Sequence, residues 1–203
     1  MLSLNKIGLL TASDLLTIAI KSTLRNFHLV EIKLPVAHDR GVRFTANDVL
    51  LLDDFALQAS TMPSFIECNP DSKRVLLSHD PSPPFIQKTL TDGFQGYLYL
   101  GDTLADRLQQ GIYDVMDGGR YLSPTASSAL ERLEYFSEVT RWQLTPYQQE
   151  VLKLMRDHWS TGQIAAHLNR KPNAIYQVQR LLRELFDAPT NSHLIHDLNE
   201  LGL

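Results

Sequence analysis

Apolar and polar positions follow two different rhythms along this chain. Through the first half, short apolar runs of strand length alternate with stretches of helical spacing. Ile7-Gly8-Leu9-Leu10-Thr11 is the first run. From Asp14 through Phe27 the apolar residues Leu16, Ile20, Leu24 and Phe27 recur at helical intervals, with Ser13 or Asp14 suited to cap the start. His28-Leu29-Val30-Glu31-Ile32 predicts a second strand, and Val49-Leu50-Leu51-Leu52 a buried third one closed by Asp53 and Asp54. Val75-Leu76-Leu77, ending at Ser78, and Gly96-Tyr97-Leu98-Tyr99-Leu100 are the last two runs. Helices are expected over Phe85–Asp92, stopped by Gly93, and over Thr103–Met116, stopped by Gly118-Gly119. Pro35, Gly41 and Thr45 disfavour a long helix after the second strand, and Pro63 and Pro70 leave room for only a short one after the third. Pro35–Asn47 and Phe55–Lys73 are therefore expected to be irregular. Five apolar runs alternating with helices predict an α/β fold, a doubly wound five-stranded parallel sheet covered on both faces.

The second half is helical throughout. Pro124 suits a first helical position, and Leu130, Leu133 and Phe136 carry an apolar stripe onward. A helix opens at Leu144-Thr145-Pro146, with Thr145 as N-cap and Gln148 placed to close a capping box; Val151, Leu152 and Met155 are its apolar face. Ser160–Leu168 predicts a short second helix, and the polar turn Asn169–Asn173 leads into a third from Ala174 to Phe186. Ala174, Val178, Leu181, Leu182 and Leu185 form its expected buried stripe, leaving Tyr176, Gln177, Arg180 and Arg183 mainly outside it. Amide and guanidinium groups on the free face of such a helix suit the major groove, where Gln pairs with adenine and Arg with guanine. A three-helix core with a solvated Gln/Arg face carries the same pattern.

Composition narrows the class. Of 203 residues, 43% are hydrophobic and 21% charged, the balance of a globular chain rather than a disordered one. Cys68 is the single cysteine, which excludes an internal disulfide and is expected to be buried. The N-terminal residues lack the basic stretch and apolar core of a signal peptide, and no run has the length of a membrane span, so a soluble, cytoplasmic protein is expected, with no membrane partner. The formal charge is −4. From Leu144 onward Lys153, Arg156, Arg170, Lys171, Arg180 and Arg183 are balanced by Glu150, Asp157, Glu184, Asp187, Asp197 and Glu200, so the excess acid lies upstream. A neutral segment binds DNA only if its cations gather on one face, and then with marked salt dependence. The seven histidines form no metal-ligand spacing, and neither a nucleophile–base signature nor a phosphate-cradling glycine loop is present, so neither catalysis nor a cofactor is expected.

Leu144-Thr145-Pro146, Glu150-Val151-Leu152, Ile164-Ala165-Ala166-His167-Leu168 and the stripe through Leu185 resemble the LuxR/NarL-type helix-turn-helix over nearly all of residues 144–203, where Asp197–Leu203 looks like its fourth helix. The turn before the third helix is about one residue shorter than usual, Pro172 stands at a position commonly acidic or polar, and Ile175, Tyr176 and Gln177 replace basic residues. The resemblance implies base reading by Asn173, Tyr176, Gln177 and Arg180, phosphate contacts by Lys171 and Arg183, and dimer contacts around Leu194, Ile195 and Leu198. Leu104, Leu108 and Ile112 offer a second dimer surface.

In that family the helix-turn-helix commonly follows a receiver domain, a flavodoxin-like sheet. Gly118-Gly119-Arg120-Tyr121-Leu122-Ser123-Pro124 and Gly93-Phe94-Gln95-Gly96-Tyr97-Leu98 resemble that arrangement. A receiver uses an acidic pair to hold magnesium, an aspartate to take phosphate, a hydroxyl and a lysine. Asp53 stands at the phosphoacceptor position, Ser78 at the hydroxyl and Tyr97 at the switching aromatic. The acidic pair falls within Thr11-Ala12-Ser13 and the lysine on Leu100, none of which supplies an anionic oxygen or an amine. The resulting expectation is a pseudo-receiver over residues 1–122, a helical linker over 123–143 and an all-α helix-turn-helix domain over 144–203. Such a protein would be a DNA-binding regulator acting as a homodimer on double-stranded DNA, controlled by a ligand, a regulatory protein or its abundance. The alternatives are a protein-interaction adaptor with a degenerate helix-turn-helix, and a conventional regulator phosphorylated at Asp53.

Overall fold

The computed structural model describes residues 6–33 and 43–203. The chain divides into two compact units, residues 1–129 and 130–203, each described in turn.

The first unit is an α/β sheet wound on both faces. In chain order it contains β1 (Lys6–Leu10), α1 (Asp14–Thr23), β2 (His28–Glu31), β3 (Val49–Asp53), α2 (Asp54–Gln58), α3 (Met62–Cys68), β4 (Lys73–Ser78), α4 (Pro83–Thr91), β5 (Gly96–Tyr99), α5 (Leu104–Met116) and β6 (Tyr121–Leu122), followed by the start of α6 (Pro124–Glu138). All pairings are parallel, in the order β2-β1-β3-β4-β5-β6. The sheet therefore has six strands, not five. The sixth is too short to carry a periodic signal; it forms because the free edge of β5 offers backbone partners, with Tyr121 N–H donating to Gln95 O at 3.0 Å and Ser123 N–H to Tyr97 O at 3.0 Å.

β3 lies between β1 and β4 and is buried along its whole length, which explains the unbroken Val49–Leu52 run. Side chains alternate across it. Ile7, Leu9, Val49, Leu51, Val75, Leu77 and Leu98 meet Ile20 and Leu24 of α1 and Leu108, Ile112 and Val115 of α5 in one core. Leu108 and Ile112 are fully buried there, so they are not a dimer surface. Within Phe55–Lys73, expected to be irregular, the chain forms two short helices, α2 and α3, with Pro63 accommodated in the first turn of α3. Cys68, at the end of α3, is exposed, contrary to expectation, because the second half of that short helix faces solvent. Of Pro35–Asn47, residues 34–42 lie outside the described part; 43–48 are neither helix nor strand. No described helix is long and apolar enough to cross a membrane.

The second unit is all-helical. The later turns of α6 run into a π-helical turn (Val139–Gln143), followed by α7 (Pro146–Arg156), α8 (Thr161–His167), α9 (Pro172–Leu185) and α10 (Asn191–Glu200). Its core joins Leu133, Phe136 and Val139 to Val151, Leu154, Ile164, Ile175, Leu182, Phe186 and Leu194. The Phe136 and Phe186 rings lie 4.9 Å apart.

Candidate nucleic-acid interface and receiver-like pocket

Local bonds cap the starts of α7 and α8 and the ends of α7, α8 and α9. Thr145 and Gln148 form a capping box at the start of α7: Thr145 N–H donates to Gln148 Oε1 at 2.7 Å and Gln148 N–H returns to Thr145 Oγ1 at 3.3 Å. Ser160 and Gln163 do the same for α8, at 2.8 and 3.3 Å. After α7, α8 and α9 the chain turns through His158, Asn169 and Asp187, all left-handed with φ of 62°, 50° and 50°. In each turn the next residue's N–H reaches back to a carbonyl of the last helical turn: Trp159 to Leu154 O at 3.1 Å, Arg170 to Ala165 O at 2.8 Å and Ala188 to Arg183 O at 2.9 Å. Lys171 is extended, as a residue before proline must be, and Pro172 opens α9 at once.

This opening sets the rotation of α9. Ile175, Gln179 and Leu182 are buried, with Phe186 closing the stripe, whereas Leu181 is exposed and Ala174 half-buried. The buried stripe is therefore centred about one position away from the one expected from Ala174 and Leu181. It includes a glutamine: Gln179 is 3% exposed, and its Oε1 accepts from Thr161 Oγ1 at 3.3 Å across to α8. An amide at a core position was hidden from a reading of apolar spacing, although it lies four residues after Ile175 and three before Leu182.

Asn173, Tyr176, Gln177 and Arg180 share the exposed face with Leu181 and Glu184, and Tyr176 is 58% exposed. Lys171 is exposed just ahead of them. Arg183 is half-buried and donates from Nη1 to Asn191 Oδ1 at 3.0 Å, so part of its guanidinium is engaged at the start of α10. Arg180 donates from Nε to Glu184 Oε1 at 2.7 Å, and that bond, reinforced by the carboxylate's charge, holds the guanidinium proton more firmly than usual. Arg170 lies over the Tyr147 ring at 5.7 Å. Leu194 and Leu198 are buried in the core of their own unit and cannot also be dimer contacts without unfolding it; Ile195 is only half-buried.

Asp53, Ser78 and Tyr97 lie on the neighbouring strands β3, β4 and β5, with Asp53 opposite Leu77, Ser78 opposite Tyr99 and Tyr97 opposite Leu76 in register. Asp53 is 8% exposed, and both oxygens of its carboxylate accept bonds from its own chain. The Thr11 hydroxyl donates a short bond to Oδ2, Ala12 N–H reaches the same oxygen at 3.3 Å, and Ala56 N–H donates to Oδ1 at 2.7 Å, capping α2. Asp54 is turned aside and accepts from His79 N–H at 3.2 Å. The Ser78 hydroxyl accepts from Asp80 N–H at 3.0 Å, and the Tyr97 hydroxyl donates to Asp80 O. Tyr97 is fully buried, edge-on to Phe85 at 6.2 Å. Its burial pushes the phenol well above the usual tyrosine range, with the charges of Asp80 and Asp54 adding to this and Ser78 opposing it. Leu100, with an aliphatic side chain, donates its N–H to Ser78 O at 2.8 Å.

These residues do not fit magnesium. A hard divalent cation needs several anionic or carbonyl oxygens, but the residue that faces Asp53 from the end of β1 is Thr11, whose hydroxyl donates its proton to the carboxylate. Among the described residues no group of three or more His, Cys, Asp or Glu side chains could hold a metal ion.

No protein-family profile matches the chain. Over 130 residues it is 28% identical to the transcriptional regulatory protein DesR of Bacillus subtilis, an alignment covering 64% of this chain and 61% of DesR. The matched part is thus less than two thirds of that relative's length. In fold it is similar to the RcsB response regulator of Salmonella typhimurium, with a TM-score of 0.56 at 16% identity over 98% of this chain and 99% of that one. It is also similar to RcsB in a structure of two RcsB dimers bound to two parallel DNAs, with a TM-score of 0.52 at 18% identity over 97% of this chain and 98% of that one. In sequence and in fold, the chain resembles the response regulators of the NarL/LuxR type, a receiver-like α/β unit followed by a helix-turn-helix unit.

Proposed function

We propose that this protein is a sequence-specific, DNA-binding transcription regulator that works as a homodimer, and that ordinary aspartyl phosphorylation does not control it. The observation that carries the DNA-binding reading is the rotation of α9. Its buried side consists of Ile175, Gln179, Leu182 and Phe186, which leaves Asn173, Tyr176, Gln177 and Arg180 together on the open side with Lys171 at the helix entrance. Gln177 offers an amide matched to adenine and Arg180 a fork matched to guanine, and Lys171 supplies a sequence-independent phosphate contact. DesR's name as a transcriptional regulatory protein and the DNA-bound RcsB dimers support the same reading.

The second half of the proposal rests on Asp53. An aspartate that takes a phosphoryl group needs a free oxygen and a cation beside it to offset the incoming charge. Here Thr11 supplies neither, and both carboxylate oxygens accept bonds from the chain. Control then falls to a ligand, a partner protein or the protein's own concentration.

A gel-shift series on a duplex selected from random sequence tests the first half. Gln177→Ala and Arg180→Ala are each expected to weaken binding to the selected duplex on the order of tenfold or more, with little change on a scrambled one. Lys171→Ala is expected to weaken both alike. Full specific binding by the Gln177→Ala, Arg180→Ala double variant would remove the reading.

A further inference from the structure

Among the side chains on the open face of α9, Arg180 is the sole cation, since Arg183 is half-buried and partly tied to Asn191. Arg180 is paired before any nucleic acid arrives. Its Nε donates to Glu184 Oε1 at 2.7 Å, one helical turn further on, with both side chains well exposed at 75% and 57%. A pair this exposed contributes little to folding, so its consequence is to be sought on the binding face. In this geometry Nε is taken, which leaves the two Nη groups of the guanidinium as a fork with the Glu184 carboxylate beside it.

We propose that Glu184 is a specificity-determining positioning residue that turns Arg180 from phosphates toward a base edge; the inference rests on the DNA-binding reading. The physical reason is a difference in charge between the two competing acceptors. Guanine presents neutral O6 and N7, which the free Nη fork can take as a pair. A phosphate on the same guanidinium would lie next to a second anion, well inside the ~8–10 Å screening length of physiological salt. Glu184 therefore penalises the phosphate contact and leaves the base contact nearly untouched. Discrimination through a repulsive element is a general route to specificity. It also accounts for an acidic residue on a face whose partner is a polyanion.

The test compares Glu184→Gln with the parent on two duplexes, one enriched by the parent protein from a random library and one scrambled from it, each titrated over a series of salt concentrations. Glu184→Gln is expected to bind the scrambled duplex roughly fivefold more tightly, with its log–log salt slope steeper by about 0.9, the value for one added phosphate contact. Binding to the enriched duplex is expected to change by less than about twofold, so the specificity ratio falls. In an Arg180→Ala background the same substitution is expected to leave the ratio unchanged. The inference is overturned if Glu184→Gln, with parental circular dichroism, tightens both duplexes equally, alters neither, or acts equally without Arg180. If the parent enriches no sequence at all, the DNA-binding reading itself falls and takes this inference with it.

Discussion

Thr11 and Asp53 face each other across the ends of β1 and β3, and their bond decides what the rim of the sheet can do. The Thr11 hydroxyl donates its proton to Oδ2 of Asp53 and accepts from Ser13 N–H at 3.0 Å, so one small side chain ties the loop after β1 to the carboxylate. Thr11→Val keeps the shape and removes the donor; it is expected to cost about 1–2 kcal/mol, seen as a lower urea midpoint with an unchanged slope. Asp102 performs a similar task after β5, accepting from Thr125 Oγ1 at 2.6 Å and Thr125 N–H at 3.2 Å at the start of α6. Burial alone would raise its pKa, but the hydrogen bonds from Thr125 and Ser123, helped by Arg107, outweigh that and bring it below the ordinary 3.8. The folded state thus favours the charged form. Its contribution is present above the unfolded pKa and is lost as pH falls through the lower folded value. Asp102→Asn is expected to be less stable than the parent near neutrality, and urea unfolding should show the two converging as pH drops below about 4.

The helix ends of the second unit illustrate which features a sequence reveals. Both capping boxes are written within four consecutive residues, Thr145–Gln148 and Ser160–Gln163, and need no partner from elsewhere; the first was legible for that reason. The left-handed turns at His158, Asn169 and Asp187 were not, because none of them is a glycine. Side chains other than Asn and Asp pay about 1–2 kcal/mol for that conformation, while glycine pays about 0.5–1 kcal/mol in chain entropy. His158→Gly is therefore expected to raise stability by about 0.5–1 kcal/mol, and a thermal melt would record it as a higher midpoint. The buried stripe of α9 lies about one position from the one that apolar spacing predicts, because Leu181 does not belong to it and Gln179 does. Its neighbour Thr161 on α8 gives the amide a partner, and only the docking of two helices supplies that. β6 was missed on similar grounds, since its pairing depends on the edge of β5.

At the scale of the whole molecule, the proposed independence from aspartyl phosphorylation is tested chemically. With a small phosphodonor and magnesium, the intact mass is expected to stay unchanged, and Asp53→Asn is expected to leave DNA binding as it was; a phosphorylated product that disappears in Asp53→Asn would restore the conventional scheme. That expectation was already contained in the linear chain. Thr11-Ala12-Ser13 and Leu100 carry neither a carboxylate nor an amine, and no folding event turns a hydroxyl into a carboxylate or an isobutyl group into an amine. The sequence likewise determined the alternation of apolar runs with helices, since burial on two faces needs continuous apolar strands, and the helical end of the chain. Only the tertiary structure decided that Thr11 reaches Asp53, that Leu194 and Leu198 are consumed in their own core, that Cys68 is exposed, and which side of α9 is open. Each of these depends on distances between residues far apart in the chain or on rotation of a helix against its neighbours, and periodicity along one segment contains neither.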